Sequence, residues 1–159
     1  MRIGIISDTH NNFPLSIEQA FKETDLILHA GDIGSQEILD RLKSITNVQA
    51  VCGNTDIYTL SENLPSQITL KVEGMILLML HNIGSINNFL WRIKKGNFQP
   101  LPQIIIYGHT HSPIFQKINN IYFLNPGSAG KPKTGQRATV MILTIKKGQI
   151  ARHQFIELP

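Results

Sequence analysis

Cysteine occurs once, at Cys52, so no internal disulfide can form, and the chain suits a reducing compartment, the cytoplasm. Charge is also scarce: 16% of the 159 residues are charged against 42% hydrophobic, with a mean hydropathy of −0.04. An intrinsically disordered chain is excluded, because it needs fewer apolar groups and more charge. Long apolar runs are missing. Those at residues 3–6, 75–80 and 104–106 each fall far short of the ~20 residues that a membrane-spanning helix requires. The amino terminus reads Met-Arg-Ile-Gly-Ile-Ile-Ser-Asp. Ser7 and Asp8 interrupt its apolar run and no small-residue cleavage site comes after them, so it reads as a strand and not a signal peptide. No internal repeat or low-complexity segment is visible. The 15 Lys and Arg exceed the 11 Asp and Glu, giving +4 and a pI near 9.3. That excess suits anionic ligands such as phosphates. The longest basic runs, Lys94-Lys95 and Lys146-Lys147, are too short for the basic stripe of a nucleic-acid binder.

The length predicts one domain over residues 1–159, large enough to bury a core without disulfides. Residues 2–7, 26–30 and 48–52 read as strands buried on both faces. Between them lie two helical patterns. One carries Ile17, Ala20 and Phe21 after Pro14; the other carries Ile38, Leu39, Leu42 and Ile45 behind a capping Ser35. Strand and helix alternating with short links predict a parallel, right-handed α/β unit. Residues 67–72 and 75–80 flank Glu73-Gly74 as a hairpin, and Ser85 caps a helix with Ile86, Phe89, Leu90 and Ile93 on one face. Further strands are expected at 104–107, 114–118, 122–124, 138–145 and 149–158, with a loop over 125–135. This is more strand than one doubly wound sheet needs. The expectation is an α/β fold of two packed mixed sheets with helices outside.

The most informative pattern lies at the carboxyl ends of the buried strands. They end in Asp8-Thr9-His10, Gly31-Asp32, Gly53-Asn54-Thr55-Asp56, His81 and Gly108-His109-Thr110-His111. Five strands thus deliver hard oxygen or imidazole donors to the edge of an α/β sheet where ligands bind. Three of the donors directly succeed a glycine, which lets the backbone approach a shared centre without a Cβ in the way. Asp8, His10, Asp32, Asn54, His81, His109 and His111 make seven donors. Two metals with about four protein ligands each are served by seven if one carboxylate bridges. The set contains no thiolate and suits manganese, iron, zinc or nickel over a structural Cys-type zinc site.

In this order, Asp-x-His, Gly-Asp, Gly-Asn-x-Asp, a strand-end His and Gly-His-x-His resemble the calcineurin-like metallophosphoesterase superfamily. Tyr107-Gly-His-Thr-His111 and Asn125-Pro-Gly-Ser128 are similar to its small bacterial and archaeal phosphodiesterase branch, which is related to a retromer scaffold subunit. The resemblance implies a four-layer α/β/β/α sandwich. It also implies one metal at Asp8, His10, Asp32 and His111 and another at Asp32, Asn54, His81 and His109, with Asp32 bridging. The implied reaction is hydrolysis of a small phosphodiester or phosphate ester by a metal-bridging hydroxide, with Asp32, Asn54 and His81 acting through it and no protein nucleophile. Manganese is the first expectation, with nickel, zinc, iron or magnesium as alternatives. Thr55 stands where many members carry a His that protonates the leaving group, and His81-Asn82-Ile83 replaces the branch's His-Gly-His.

Other residues are read more plainly. His29 is expected to be a satisfied core histidine and Cys52 a small buried apolar group. Asp56, Asn125 and Ser128 are candidates for supporting the ligands or meeting substrate. Lys131, Lys133 and Arg137 could meet a substrate anion or form a solvated loop. Trp91 reads as packing or as an oligomer contact. No membrane partner is expected. Two rivals to the enzyme are a non-catalytic interaction scaffold on the same fold and a basic nucleic-acid binder, which lacks a basic cluster or aromatic platform.

Overall fold

A computed structural model describes residues 1–56, 60 and 63–159. β1 (Arg2–Ile6), β2 (Leu26–His29) and β3 (Val48–Ala50) run parallel, with Ile3 opposite Leu26 and Ile27 opposite Val48. β9 (Thr139–Lys146) joins β1 antiparallel and β10 (Gln149–Glu157) joins β9, giving the order β10-β9-β1-β2-β3. The second sheet has the order β4-β5-β6-β8-β7, from β4 (Gln67–Val72), β5 (Met75–Leu80), β6 (Ile104–Ile106), β7 (Pro113–Ile118) and β8 (Ile121–Pro126). β5, β6 and β8 are parallel, with antiparallel strands at both edges. The expected two mixed sheets flanked by helices are present.

Side-chain alternation explains why the central strands read as unbroken apolar runs. Successive residues point to opposite faces. Ile3, Ile5, Leu77, Met79, Ile104, Ile106, Leu124, Met141 and Leu143 therefore meet between the sheets. Their neighbours Ile6, Val140 and Ile142 face α1 (Ser16–Phe21) and α2 (Gln36–Lys43), where Phe21, Ile38 and Leu42 cover them. Leu78, Leu80, Ile105 and Phe123 face α3 (Ile86–Lys94) and its Phe89 and Ile93. Three apolar seams thus separate four layers, and each fully buried Ile, Leu or Phe contributes about 1.5–3 kcal/mol.

Hairpin links carry left-handed backbone at both central residues, as type I′ turns demand: Glu73-Gly74 (φ 49° and 88°) and Lys147-Gly148 (49° and 73°). Ser85 caps α3 by accepting from Asn88 N, whereas Ser35 sits extended before α2 and its side chain makes no cap bond. Several boundaries differ from the sequence reading. β3 stops at Ala50 because Cys52 N turns away to Pro65 O, and Cys52 itself is half-buried, not buried. β8 runs on through Asn125 and Pro126, which pair with Ile114 and Pro113, so the loop beyond it starts later than expected. Trp91 is 61% exposed, with Lys95 Nζ 5.4 Å from its ring centroid. Among the described residues, no helix is long and apolar enough to cross a membrane.

Candidate metal centre

The loops after β1, β2, β3, β5 and β6 leave the sheets at one end and bond to each other through backbone. Asp8 N donates to Gly31 O (3.0 Å), His10 N to Asp32 O (3.0 Å) and Gly108 N to His81 O (3.0 Å). The cost is local strain. Asp8, His10, Asp32, His109 and His111 all have φ between 46° and 63°, a region that L-residues rarely enter and that clusters at functional sites. The glycines are there for space. A Cβ on Gly53 would overlap Asp32 Oδ1, and one on Gly108 would overlap Ser7 Oγ and come within 2.7 Å of Asp8 Oδ2.

All seven expected donors converge. Asp8 Oδ1 lies 3.1 Å from His111 Nε2 and 3.9 Å from His10 Nε2, and the two Nε2 atoms are 3.4 Å apart. Across from them, Asn54 Oδ1 is 3.1 Å from His81 Nε2 and 3.0 Å from His109 Nδ1. Asp32 Oδ2 stands between the two groups, 3.7 Å from His10 Nε2 and 3.4 Å from His81 Nε2. Within the described residues, Asp8, His10 and His111 form one set close enough to hold an ion, and Asp8, Asp32 and His81 another.

Proton positions explain why this arrangement fits cations. His111 Nδ1 donates to Lys131 O (2.7 Å), so its Nε2 presents a lone pair to Asp8 Oδ1. That carboxylate oxygen is buried and has no hydrogen-bond donor. His81 Nδ1 likewise donates to Ala30 O (2.8 Å), leaving Nε2 facing two oxygens. Lone pairs aimed at lone pairs repel unless a positive charge sits among them. Carbonyl partners on the far ring nitrogen are how metal-ligating histidines are oriented. Burial pushes the Asp8 carboxyl up and the His10 imidazole down. Burial also opposes ionisation of Asp32 and His81, the largest single effect on each; without a cation, a proton on His81 shared with Asp32, the attraction of the two charges, and the bonds to Thr55 N and Ala30 O together outweigh it, holding Asp32 well below the usual carboxylate range and raising His81.

Behind the donors, buried polar groups hold the loops. Asp56 Oδ1 accepts from Ile33 N (2.9 Å) and Gly34 N (3.0 Å), and its Oδ2 accepts from Gly53 N (2.8 Å), tying the Asp32 loop to the Asn54 loop. Asn125 Nδ2 donates to Gly108 O (2.7 Å), and Ser128 Oγ donates to Asp8 O (2.9 Å). Both side chains are buried under the loops. His29 is fully buried, in keeping with its place inside a strand. Its Nε2–H reaches Thr9 Oγ1 (3.0 Å), which donates to Ile33 O (2.8 Å), and its Nδ1 accepts from Gly31 N (3.2 Å). Sequence reasoning missed Thr9 and the backbone N–H of Thr55, which donates to Asp32 Oδ1 (2.8 Å). Thr9 lay in plain view as the middle residue of Asp8-Thr9-His10; a backbone donor leaves no sequence signal. Lys133 Nζ donates to Ser112 Oγ (2.9 Å), and Arg137 pairs with Glu157.

The molecule is thus an α/β/β/α sandwich that carries a cluster of oxygen and imidazole donors at its strand ends. Residues 1–148 match the family model of the calcineurin-like phosphoesterase superfamily domain, and the chain belongs to that family. It is 31% identical over 150 residues to a probable metallophosphoesterase of Methanothermobacter thermautotrophicus, covering 91% of this chain and 86% of that protein. It is 27% identical to a phosphodiesterase of Methanocaldococcus jannaschii, covering 92% and 95%. A solved archaeal phosphodiesterase superposes with a TM-score of 0.77 at 25% identity over 98% of this chain and all of that one. Vps29 of Entamoeba histolytica complexed with zinc shares the fold, with a TM-score of 0.78 at 19% identity over 99% of both chains.

Proposed function

We propose that this chain is a dinuclear metal-dependent phosphodiesterase acting on small diesters in the cytoplasm. Asp8, His10, Asp32 and His111 would hold one divalent cation and Asp32, Asn54, His81 and His109 the other, with manganese the expected metal. The carrying observation is Asp32 Oδ2, set between His10 Nε2 and His81 Nε2 while its Oδ1 is held by Thr55 N. A bound pair of cations would lower the pKa of a shared water and neutralise charge on the phosphoryl group. The protein's own work is positional. The carbonyls of Ala30 and Lys131 fix the tautomers of His81 and His111, and Asp56 fixes the loops that carry Asp32 and Asn54. Thr55, beside Asn54, offers no group that can give up a proton near neutral pH, so substrates with good leaving groups are favoured.

The test is metal content of the purified protein, then hydrolysis of bis(p-nitrophenyl) phosphate and p-nitrophenyl phosphate with Mn, Ni, Zn or Mg. Faster turnover of the diester, with manganese the best activator, supports the reading. Bound metal with no turnover of either ester points instead to the interaction scaffold.

A further inference from the structure

The outer, helix-covered side of the second sheet carries a groove of about 450 Å³. It is lined by Leu90, Ile93 and Lys94 of α3, by Leu101, and by Asn119 and Ile121 at the turn into β8. Ile93 and Ile121 are buried, whereas Leu101 stands 56% exposed at the edge. The groove lies far from the donor loops. β8 runs parallel to β6 with Tyr122 opposite Ile104, so Ile121 is level with the start of β6, and the other end of β6 leads to His109 and His111.

Apolar exposure and positive charge coincide on this face. Trp91 on α3 and Leu101 in the groove are two of the four large hydrophobic side chains exposed among the described residues. Exposed apolar surface rimmed by polar groups marks interaction sites. The cations beside it are held by aromatic rings. Lys95 Nζ is 5.4 Å from the Trp91 centroid, and the Arg92 guanidinium lies 5.2 Å from the centroids of both Phe89 and Phe98. A ring face steadies a cation without cancelling its charge. Among the described residues, the acids that pair with Lys or Arg do so elsewhere, with Arg2, Arg41 and Arg137. From Met75 to Ile156 the sequence has ten Lys and Arg and no Asp or Glu. Arg92, Lys94 and Lys95 therefore leave three uncompensated charges around an open apolar groove.

We propose that this face docks an acidic amphipathic segment of a partner protein. A leucine-sized side chain enters the groove between Leu90 and Leu101, over Ile93 and Ile121, and carboxylates beside it meet Lys94, Lys95 and Arg92. Apolar anchors in a groove supply affinity, and charge complementarity selects the partner. A second copy fits poorly, because a symmetric contact through this face sets its cations against themselves. The inference stands apart from the phosphodiesterase reading, since it uses none of the seven donors. The probe is a fluorescein-labelled helical peptide of Leu and Glu, its Leu residues on one face, titrated by anisotropy at low and high salt. Saturable binding that weakens with salt is expected. Leu101→Glu and Lys94→Glu should each cost at least about tenfold in affinity, and Lys94→Arg should keep it. Both positions are exposed, so the variants fold, which melting curves check. Arg152→Glu removes the same charge from exposed β10 and should leave the affinity as it is. Absence of binding, equal binding of a peptide with the same residues in scrambled order, or an equal loss in Arg152→Glu would overturn the proposal. So would Leu101-dependent binding to phosphatidylserine vesicles, which gives the face to a membrane, or Leu101-dependent dimerisation, which gives it to another copy.

Discussion

Asp32 and Asp56 look alike in sequence, each a carboxylate just beyond a buried strand, yet their oxygens face different things. Asp56 gives both oxygens to backbone N–H groups, whereas Asp32 gives one to Thr55 N and leaves Oδ2 between two imidazoles. Asp32→Ala should therefore abolish binding of both cations, because each loses a ligand at once. Asp56→Ala should keep measurable metal and lose ~10–100-fold in affinity or turnover, as expected for a residue that orients ligands. Metal analysis of the two folded variants decides this, and retention of two metals by Asp32→Ala with their loss from Asp56→Ala would reverse the assignment. His29 gives a second residue-scale expectation. Full burial pushes its pKa down to about 3. Its neutral form is also bonded on both ring nitrogens, so protonation would break the Gly31 N–H bond. The unfolded chain takes up this proton near pH 6.5 and the folded chain does not until about pH 3. The stabilisation is present above pH 6.5 and is lost as pH falls across that window, at up to about 1.4 kcal/mol per pH unit. Urea midpoints of metal-stripped wild type and His29→Gln at pH 7 and pH 4.5 should show a smaller acid loss in the variant. Parallel losses would remove His29 as the cause.

At the scale of the element, strands serve the site by where they stop. β1, β2 and β3 lie in one sheet and β5 and β6 in the other, and after β1, β2 and β6 the donors themselves sit in left-handed backbone. Gly108 marks such a turn, and Gly108→Ala would drive a methyl into Ser7 Oγ and against Asp8 Oδ2. Overpacking of this kind costs typically ~1–3 kcal/mol, and here it would also displace a donor. Gly96 provides the contrast, with φ 79° and open space around it. Gly96→Ala should cost about 1 kcal/mol from the left-handed backbone alone and leave metal affinity unchanged. Melting curves and manganese titrations of both variants check the pair, and equal effects on affinity would refute the role given to Gly108. The same elements show what can be read without coordinates. Apolar runs of the right length placed nearly every strand, and the polar residues at their ends, three of them directly after a glycine, named the seven side chains that the structure brings together. What stayed hidden depends on tertiary partners. The end of β3 is set by a bond to Pro65, the extra residues of β8 by pairing with β7, and the idle side chain of Ser35 by a local geometry that its sequence position does not encode. Asp56, Asn125 and Ser128 were legible as candidates for supporting the ligands, but the backbone groups they hold were not, because Ile33, Gly108 and Asp8 lie far from them in the chain.

For the whole molecule, the two sheets contribute to opposite sides of one cluster. Asp8, His10, Asp32 and Asn54 come from loops of the first sheet, and His81, His109 and His111 from loops of the second. Three apolar seams hold the layers together over their length, but at this end the interior is polar, where Asp8 Oδ1 faces His111 Nε2 and Asn54 Oδ1 faces His81 Nε2. Cations there would bind only the native arrangement and staple the sheets where the core does not. Linkage puts the stabilisation at RT ln(1 + [L]/Kd), about 2.7 kcal/mol per site at a hundredfold excess over Kd. Chelation should therefore lower the melting temperature by several degrees, ~2–4 °C per kcal/mol for a chain of this size. Amide exchange should rise in the loops after β1, β5 and β6 before it rises in the sheets. Manganese added back should restore both, and Asp32→Ala should respond to neither treatment. If verified metal removal leaves the melting temperature and the loop protection unchanged, the cluster is not a staple and its donors are held together by the protein alone.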